Sequence, residues 1–198
     1  MNGQPFAKVA MPRHKLQSDN DVLDLAYAAL LEQGAGGFTL ASVSERVGLS
    51  KATLVQRFGS KESLIRHIAA RQVDLTRAYL ESLPVLAGRD GLHSFLRTIV
   101  TSMGTGTDFS GHLDLALLEA GDPSLRAFAD QRYRLVQAAI ARRLPPTVRD
   151  RTAIAAHLHA VIAGASMQWV VAGQPDLSRF VMDRPDVALA LLDLPNSA

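Results

Sequence analysis

Hydroxyl residues and glycines alternate near the N-terminus of this chain, and their order restricts the fold. Thr39, Ser50 and Ser60 each precede a stretch with helical spacing of apolar residues, and Gly48 and Gly59 end two of those stretches. Serine and threonine cap helix starts by accepting hydrogen bonds from backbone N–H groups, whereas glycine adopts the left-handed conformation that ends helices. The pattern predicts two short helices joined by a tight turn, followed by a longer helix reaching about Leu83.

Helical spacing also dominates the rest of the chain. Apolar residues recur one helical turn apart from Val22 to Leu30, and glycines at 34, 36 and 37 are expected to end that helix. No segment alternates apolar and polar residues as a strand would. We therefore predict an all-α protein, with further helices near 91–103, 112–121, 123–144, 147–173 and 177–193.

Composition excludes several classes of protein. The 198 residues are 47% hydrophobic, which is typical of a globular protein. The formal net charge is only +2, so the chain as a whole has no strong positive potential that would attract a polyanion. No cysteine is present, so disulfides and thiolate metal sites are excluded, and we predict no cofactor and no metal. Residues 1–18 lack an apolar secretory core and are predicted to form a flexible basic arm, which fits a cytoplasmic protein.

One segment has the composition of a membrane span. Residues 153–173 contain no Asp, Glu, Lys or Arg, which approaches the length needed to cross a bilayer. His157, His159, Ser166 and Gln168 interrupt the segment. We favour a soluble protein in which this helix is buried on most sides, with a membrane span as the minor alternative.

The two short helices with a glycine-containing turn predict a helix-turn-helix, whose second helix fits the major groove of DNA. If Leu54 is buried, helical geometry points Ala52 and Gln56 outward and puts Thr53 and Val55 on the flanks. Glutamine pairs with adenine edges, and small apolar groups contact thymine methyls. These four side chains are the predicted base-reading set.

Cations around the second helix are predicted to contact phosphates. Lys51, Arg57 and Lys61 flank the helix, and Thr39 and Ser50 complete the predicted DNA-binding set at the helix starts. Residues 36 to 77 contain seven Lys and Arg and three Asp and Glu, so the net charge of this segment is seven minus three, or +4. A solvated charged surface without DNA binding is the alternative on these grounds alone.

The run from Val22 to Leu64 resembles the DNA-binding domain of the TetR family of bacterial transcription regulators. The resemblance rests on the glycine-rich turn after the first helix, on Thr39, and on the motifs "VGLSKATL" and "FGSKESL". It implies a helix-turn-helix domain at 19–66 and a helical effector-binding and dimerisation domain at 67–198. The chain departs from the family where Val55, Gln56 and Arg57 replace the usual aromatic residues, and where acidic residues open the first helix.

The resemblance also implies a homodimer held by a four-helix bundle. Ala160 and Gly164 lie one turn apart, and small residues at this spacing let helices approach closely. We assign Val187 and Leu191 of the last helix to the same predicted interface. Trp169 is assigned there too, with packing in the core as the alternative. The implied target is an inverted-repeat operator on double-stranded DNA.

Relatives in this family bind effectors among their middle helices. By that analogy, a hydrophobic or aromatic effector that releases a repressor is expected to contact Met103, Phe109, Leu117, Leu118, Phe128, Tyr133, His157 and Val161. For each of these residues, packing in the core without effector contact is the alternative. A regulator with a closed core and no effector is one alternative, and an all-α enzyme is another. We predict that the chain is not an enzyme, because His157 and His159 are two residues apart and point to different helix faces. The segment "GTGTDFSGH" (104–112) lacks the Lys of a phosphate loop and is predicted to be a flexible connection between helices.

Overall fold

The computed structural model describes residues 18–103, 106–173 and 176–191, with the backbone alone for 106–110. Within these ranges the chain is helical and contains no strand. This confirms the predicted all-α fold. The predicted basic arm lies almost wholly outside the described residues. The helices are α1 (Asp19–Gly37), α2 (Leu40–Val47), α3 (Lys51–Phe58), α4 (Lys61–Ser82), α5 (Gly88–Thr101), α6 (Gly106–Gly121), α7 (Pro123–Ala141), α8 (Arg151–Ala172) and α9 (Leu177–Leu191).

The predicted helix-turn-helix is present as α2 and α3. The Thr39 side chain accepts a hydrogen bond from the Ser42 backbone N–H at 3.0 Å, and Ser50 accepts one from the Thr53 N–H at 3.0 Å. Gly48 ends α2 with φ 67° and ψ 25°, a left-handed conformation that a side chain would disfavour. These local interactions set where α2 ends and where α3 begins.

Helix α1 ends at Gly37, the last of the three glycines expected to end it, and it is kinked at the first. Gly34 adopts φ 67° and ψ 171°, which kinks the helix, and the helix resumes as far as Gly37. At its start, Ser18 and Asp21 form a reciprocal capping box, since each side chain accepts a hydrogen bond from the other residue's backbone N–H.

The described residues form two hydrophobic cores, and α4 contributes residues to both. The first core holds Leu54 and Phe58 of α3 together with Leu64 and Ile68 of α4, and it extends to Leu115 on α6. Leu80, nearer the end of α4, lies in the second core. The predicted domain boundary at residue 66 therefore falls inside a single helix that connects the two cores.

The second core is formed by α5, α7, α8 and α9 together with Leu80 of α4. Arg143, which follows α7, is completely buried in this region. Its guanidinium donates hydrogen bonds to the carbonyls of Leu83, Pro84 and Ala139 and lies 3.7 Å from the centre of the Phe95 ring. Burial lowers the pKa of Arg143, and the neighbouring Arg142 cation adds to this effect. These bonds tie the α4–α5 connection to the end of α7.

The flexible connection predicted for 104–112 is wrong over most of its length, because α6 begins at Gly106. Gly111 explains why a glycine-rich sequence packs here as a helix. A Cβ atom at this position would lie 2.1 Å from the carbonyl oxygen of Leu31 on α1. Glycine therefore permits a close contact between α6 and α1 that no other residue allows.

Helix α8 is less buried than predicted. Leu158, Ile162 and Trp169 lie in the core, but only 33% of its most apolar 18-residue window is buried. The helix is long and apolar enough to cross a membrane by composition alone, although its core face packs on α7 and α9. The opposite face is exposed and presents Ala153, His157, Ala160, Gly164, Gln168 and Val171.

Candidate functional site

The outward face of α3 carries the predicted base-reading residues. Ala52, Val55 and Gln56 are exposed, with 45% of Val55 accessible, while Thr53 is half-buried beside its bond to Ser50. Leu54, assumed to point inward, is completely buried. The face of α3 opposite the core is therefore a small, mostly neutral surface with one amide group.

The cations around α3 are partly engaged within the protein. The Arg57 Nε donates to Asp19 Oδ1 at 2.7 Å, which links α3 to the start of α1. On the neighbouring helix α4, the Arg71 Nε donates to Asp24 Oδ1 at 2.7 Å. The acidic residues that open α1, which departed from the family pattern, thus hold two arginines of the following helices.

Two further cations are held near the end of α1. Arg46 on α2 pairs with Glu32, and its guanidinium lowers the pKa of that carboxyl by hydrogen bonding. The Lys61 Nζ donates to the carbonyl of Ala35 at 3.0 Å. Lys51, at the start of α3, is exposed. The proposed phosphate contacts of Lys51, Arg57 and Lys61 stay predictions.

A second candidate site is a partly open cavity of about 430 Å³ lined by six helices. Helices α4, α5, α6, α7 and α8 form most of its wall, and α1, which packs in the N-terminal core with the helix-turn-helix, contributes Tyr27. The rings of Tyr27 and His112 meet edge to face with centroids 6.4 Å apart. The cavity therefore touches both halves of the molecule directly.

The structure separates the residues that were predicted to bind an effector. Met103 and Tyr133 line the cavity, whereas Leu118 and Phe128 pack against the N-terminal core. Leu117 is 69% exposed on the outer side of α6. Two others, His157 and Val161, lie in a different groove between α8 and α9. The side chain of Phe109 falls outside the described residues.

Several cavity residues could not be found from sequence patterns. Glu119 and Arg132 are 13 positions apart on consecutive helices and look like ordinary surface charges in the sequence. The packing of α6 on α7 turns both inward, and 4% of the Glu119 side chain and 17% of the Arg132 side chain remain accessible. The other lining residues that were missed are Tyr27, Gln72, Thr76, Tyr79, Leu80, Ile99, Ser102, His112, Leu113, Leu115, Ala116, Val136, His159, Ile162, Ala163, Ser166 and Met167.

The cavity wall contains one buried ion pair and perturbed titratable groups. The Arg132 Nη2 lies 2.6 and 2.7 Å from the two carboxylate oxygens of Glu119. Burial raises the pKa of the Tyr27 hydroxyl, on which the Arg132 and Glu119 charges act in opposite directions. Burial also lowers the pKa of His159, so its ring is neutral at pH 7.

The groove between α8 and α9 includes part of the predicted dimer interface. Val187 and Leu191 line it and are 61% and 82% exposed, and His157 and Val161 lie beside them. On α8, Ala160 and Gly164 are also exposed. Trp169, assigned to the same interface, points instead into the core of the protomer, where 8% of it is accessible.

No group of three or more His, Asp or Glu side chains suited to a metal ion occurs in the part of the chain that the structure describes.

Comparison with known proteins supports this arrangement of a helix-turn-helix and a helical second domain. A family model described as "Bacterial regulatory proteins, tetR family" matches residues 22–68. Among curated protein sequences, none matches the chain.

Solved structures share the fold at low sequence identity. A transcriptional regulator from Rhodococcus sp. Rha1 is 15% identical, with a TM-score of 0.74 over 89% of this chain and 96% of that chain. A TetR-family member from Streptomyces coelicolor is 20% identical, with a TM-score of 0.64 over 86% and 95%. The multidrug binding protein EbrR, solved with proflavin, is 18% identical, with a TM-score of 0.63 over 86% and 96%. Residues 22–68 therefore match the DNA-binding domain of the TetR family, and the chain as a whole shares the fold of these solved regulators.

Proposed function

We propose that this protein is a dimeric repressor that binds an inverted-repeat operator through α3 and leaves it when a small molecule fills the six-helix cavity. The observation that carries the proposal is Tyr27, a residue of the DNA-binding domain that also lines the cavity. A ligand in that cavity would therefore touch the DNA-binding domain itself.

The surface of α3 supports the DNA-binding part of the proposal. Its exposed residues combine one amide, Gln56, with the small apolar Ala52 and Val55. An amide can bond bidentately to adenine, and small apolar groups fit beside thymine methyls in the major groove. Lys51 at the N-terminus of α3 is placed to meet a phosphate, which would position the helix.

The contact between α6 and α1 supports the release step. Four α6 residues from His112 to Ala116 line the cavity, and Gly111 packs directly on the α1 backbone at Leu31. Close-packed helices shift as units, because their contact leaves little space for local adjustment. A ligand that displaced α6 would therefore move α1 and, through the Arg57–Asp19 pair, the orientation of α3.

The exposed apolar face of α8 and the groove beside α9 support a homodimer. Val171 is 89% exposed, and it lies on the same face as Gly164. An exposed apolar surface of this kind is typical of a protein–protein interface. A second copy related by a twofold axis would cover this surface with the same surface of its own.

A regulator with a closed core is less well supported than an effector-controlled one. The cavity of about 430 Å³ falls within the range of small-molecule sites. The related EbrR was solved with proflavin, so a protein of this fold accepts a small molecule. An enzyme is not favoured, because regulators of this family act by binding DNA.

Selection of bound sequences from a random DNA pool tests the DNA-binding proposal. We expect an inverted repeat to be recovered with the native protein. With Gln56→Ala, preference at one base pair of each half-site should fall by roughly 1–3 kcal/mol. The matched control is Gln131→Ala, an exposed glutamine on α7, which should recover the native site. A Gln56→Ala protein that selects the native sequence undiminished would mean that α3 is oriented differently on DNA.

A further inference from the structure

The rim of the six-helix cavity is exposed where α8 carries Met167. This side chain lines the cavity and is 57% exposed. Tyr133 of α7, which also lines the cavity, is 50% exposed. A small-molecule site normally covers most of its ligand, so a cavity with an exposed apolar rim is incomplete in the isolated protomer.

The exposed rim is continuous with the exposed face of α8. Met167 follows Gly164 by three residues and precedes Val171 by four, and side chains at these spacings are neighbours on a helix surface. Ala163, one turn before Met167, is exposed and also lines the cavity. The surface that we assign to the dimer therefore reaches the cavity without an intervening helix.

The absence of charge on this face favours a second copy of the chain as its occupant. Residues 153–173 contain no Asp, Glu, Lys or Arg. In a twofold interface, side chains close to the axis meet their own copies, so a charged face would oppose like charges. The face of α8 avoids this repulsion, and it offers no carboxylate, ammonium or guanidinium group to a charged partner.

We propose that the partner protomer completes the six-helix cavity by covering its α8 side at Met167, so that a ligand binds the dimer more tightly than the protomer. This coupling rests on the proposed dimer and on the proposed effector function of the cavity. Apolar ligand surface that would meet water at Met167 meets the α8 face of the partner instead. Since such coupling is reciprocal, a ligand in the cavity also strengthens dimerisation.

Thiol labelling tests whether the partner covers Met167. The chain contains no cysteine, so Met167→Cys introduces a single thiol. In the dimer this thiol should react with N-ethylmaleimide about tenfold or more slowly than in a monomer, because a covered thiol reacts only when the structure opens. The monomer is obtained by adding Gly164→Glu, which lies outside the cavity wall, or by diluting Met167→Cys alone below the dimer dissociation constant. Leu117→Cys, 69% exposed on the outer side of α6, is the control and should react equally in both states.

Equal labelling of Met167→Cys in dimer and monomer would overturn the proposal. Protection that arises only when phosphatidylglycerol vesicles are added would assign the face to a lipid surface and would overturn it as well. A native protein that sediments as a monomer would contradict the proposed dimer, and the completed cavity with it.

Sedimentation equilibrium with the dye N-phenyl-1-naphthylamine tests the coupling. The dye is neutral and apolar, and its fluorescence reports whether it binds to the native protein. Each of the two cavities should gain about tenfold in affinity on dimerisation, because covering about one apolar side chain is worth that much. Saturating dye should therefore lower the dimer dissociation constant by about ten times ten, or about a hundredfold.

The dye experiment separates failure of the coupling from failure of the effector function. An unchanged or raised dimer dissociation constant would overturn the coupling, since dye held on the α8 face itself competes with the partner. Dye that strengthens the dimer without releasing operator DNA would contradict the effector function and leave the coupling standing. No binding of the dye would contradict a ligand site in the cavity, while the labelling of Met167→Cys would still decide whether the partner covers its rim.

Discussion

At the scale of single residues, the acidic start of α1 controls how much positive charge is available beside α3. Asp19 holds Arg57 and Asp24 holds Arg71, with 66% of the Asp19 and 46% of the Asp24 side chain exposed. Exposed pairs of this kind contribute little to stability because water screens them. Their larger effect is on the electrostatic potential that approaching DNA meets.

Replacing Asp19 with asparagine should strengthen DNA binding. The change removes one negative charge beside α3 and lets Arg57 turn toward a phosphate. We expect binding to operator and non-operator DNA to tighten together, by about threefold, because an exposed ion pair is worth less than about 1 kcal/mol. Fluorescence anisotropy at two salt concentrations measures this. The control Asp90→Asn makes the same charge change on α5 and should leave binding unaltered, whereas weaker binding by Asp19→Asn would show that Asp19 orients Arg57 for its contact.

His159 should make the stability of the protein depend on pH. Burial lowers its pKa in the folded state below the ordinary value of about 6.5, so the unfolded chain binds the proton more tightly. The free energy of unfolding therefore decreases as pH falls below about 6.5. It continues to decrease until the pH reaches the lower pKa of His159 in the folded state. Urea unfolding of the native protein and of His159→Gln at pH 7.5 and in steps below 6.5 tests this. The native protein should lose stability more steeply with falling pH than the variant, and parallel curves would contradict the neutral state of His159.

At the scale of helices, α6 is the element that connects the cavity to the DNA-binding domain. Its residues line the cavity from His112 onward, and Leu115 belongs to the N-terminal core. The absence of a side chain at Gly111 brings α6 onto the backbone of α1. The contact at Gly111 is thus both a packing requirement and the proposed path of the release signal.

Alanine at position 111 should disrupt this contact. Its Cβ would lie 2.1 Å from the Leu31 carbonyl oxygen, so α1 and α6 must move apart. We expect a loss of roughly 1–3 kcal/mol in the free energy of unfolding, as overpacked sites show. Gly121→Ala is the control on the same helix, where nothing lies within 4 Å of the new Cβ, and it should be neutral or slightly stabilising. Equal stabilities of the two variants, measured by urea denaturation, would rule out a rigid α1–α6 contact.

The helix-turn-helix could be predicted from sequence because its determinants are local. Thr39 and Ser50 each cap the helix that follows by accepting a hydrogen bond from the N–H three residues on, and Gly48 ends α2 by its own backbone conformation. The cavity depends on helices distant in the chain, and the sequence pattern does not encode which face each presents. Glu119 and Leu117 are two residues apart on α6, yet one is buried in the cavity wall and the other faces solvent.

At the scale of the whole molecule, α8 is only partly covered in an isolated protomer. Its core face fills the second core, while its opposite face and the adjoining groove along α9 expose apolar side chains. A single α3 of eight residues reaches only a few base pairs, which is too little to identify one site in a genome. Dimerisation through α8 and α9 would cover the apolar surface and place two copies of α3 on one operator, roughly 34 Å apart along the DNA.

Glutamate at position 164 should separate the protomers without unfolding them. Gly164 is exposed, and nothing lies within 4 Å of the position of a new Cβ, so the isolated protomer accommodates the side chain. In the proposed dimer the two glutamates would be buried near each other without partners, which strongly disfavours association. We expect monomers in size-exclusion chromatography, native helical circular dichroism and loss of operator binding, because one α3 no longer has a second copy at the correct spacing. Thr152→Glu adds the same charge in the first turn of α8, where a carboxylate is favourable, and it should remain dimeric. A Gly164→Glu protein that stays dimeric and binds its operator would place the dimer interface on another surface.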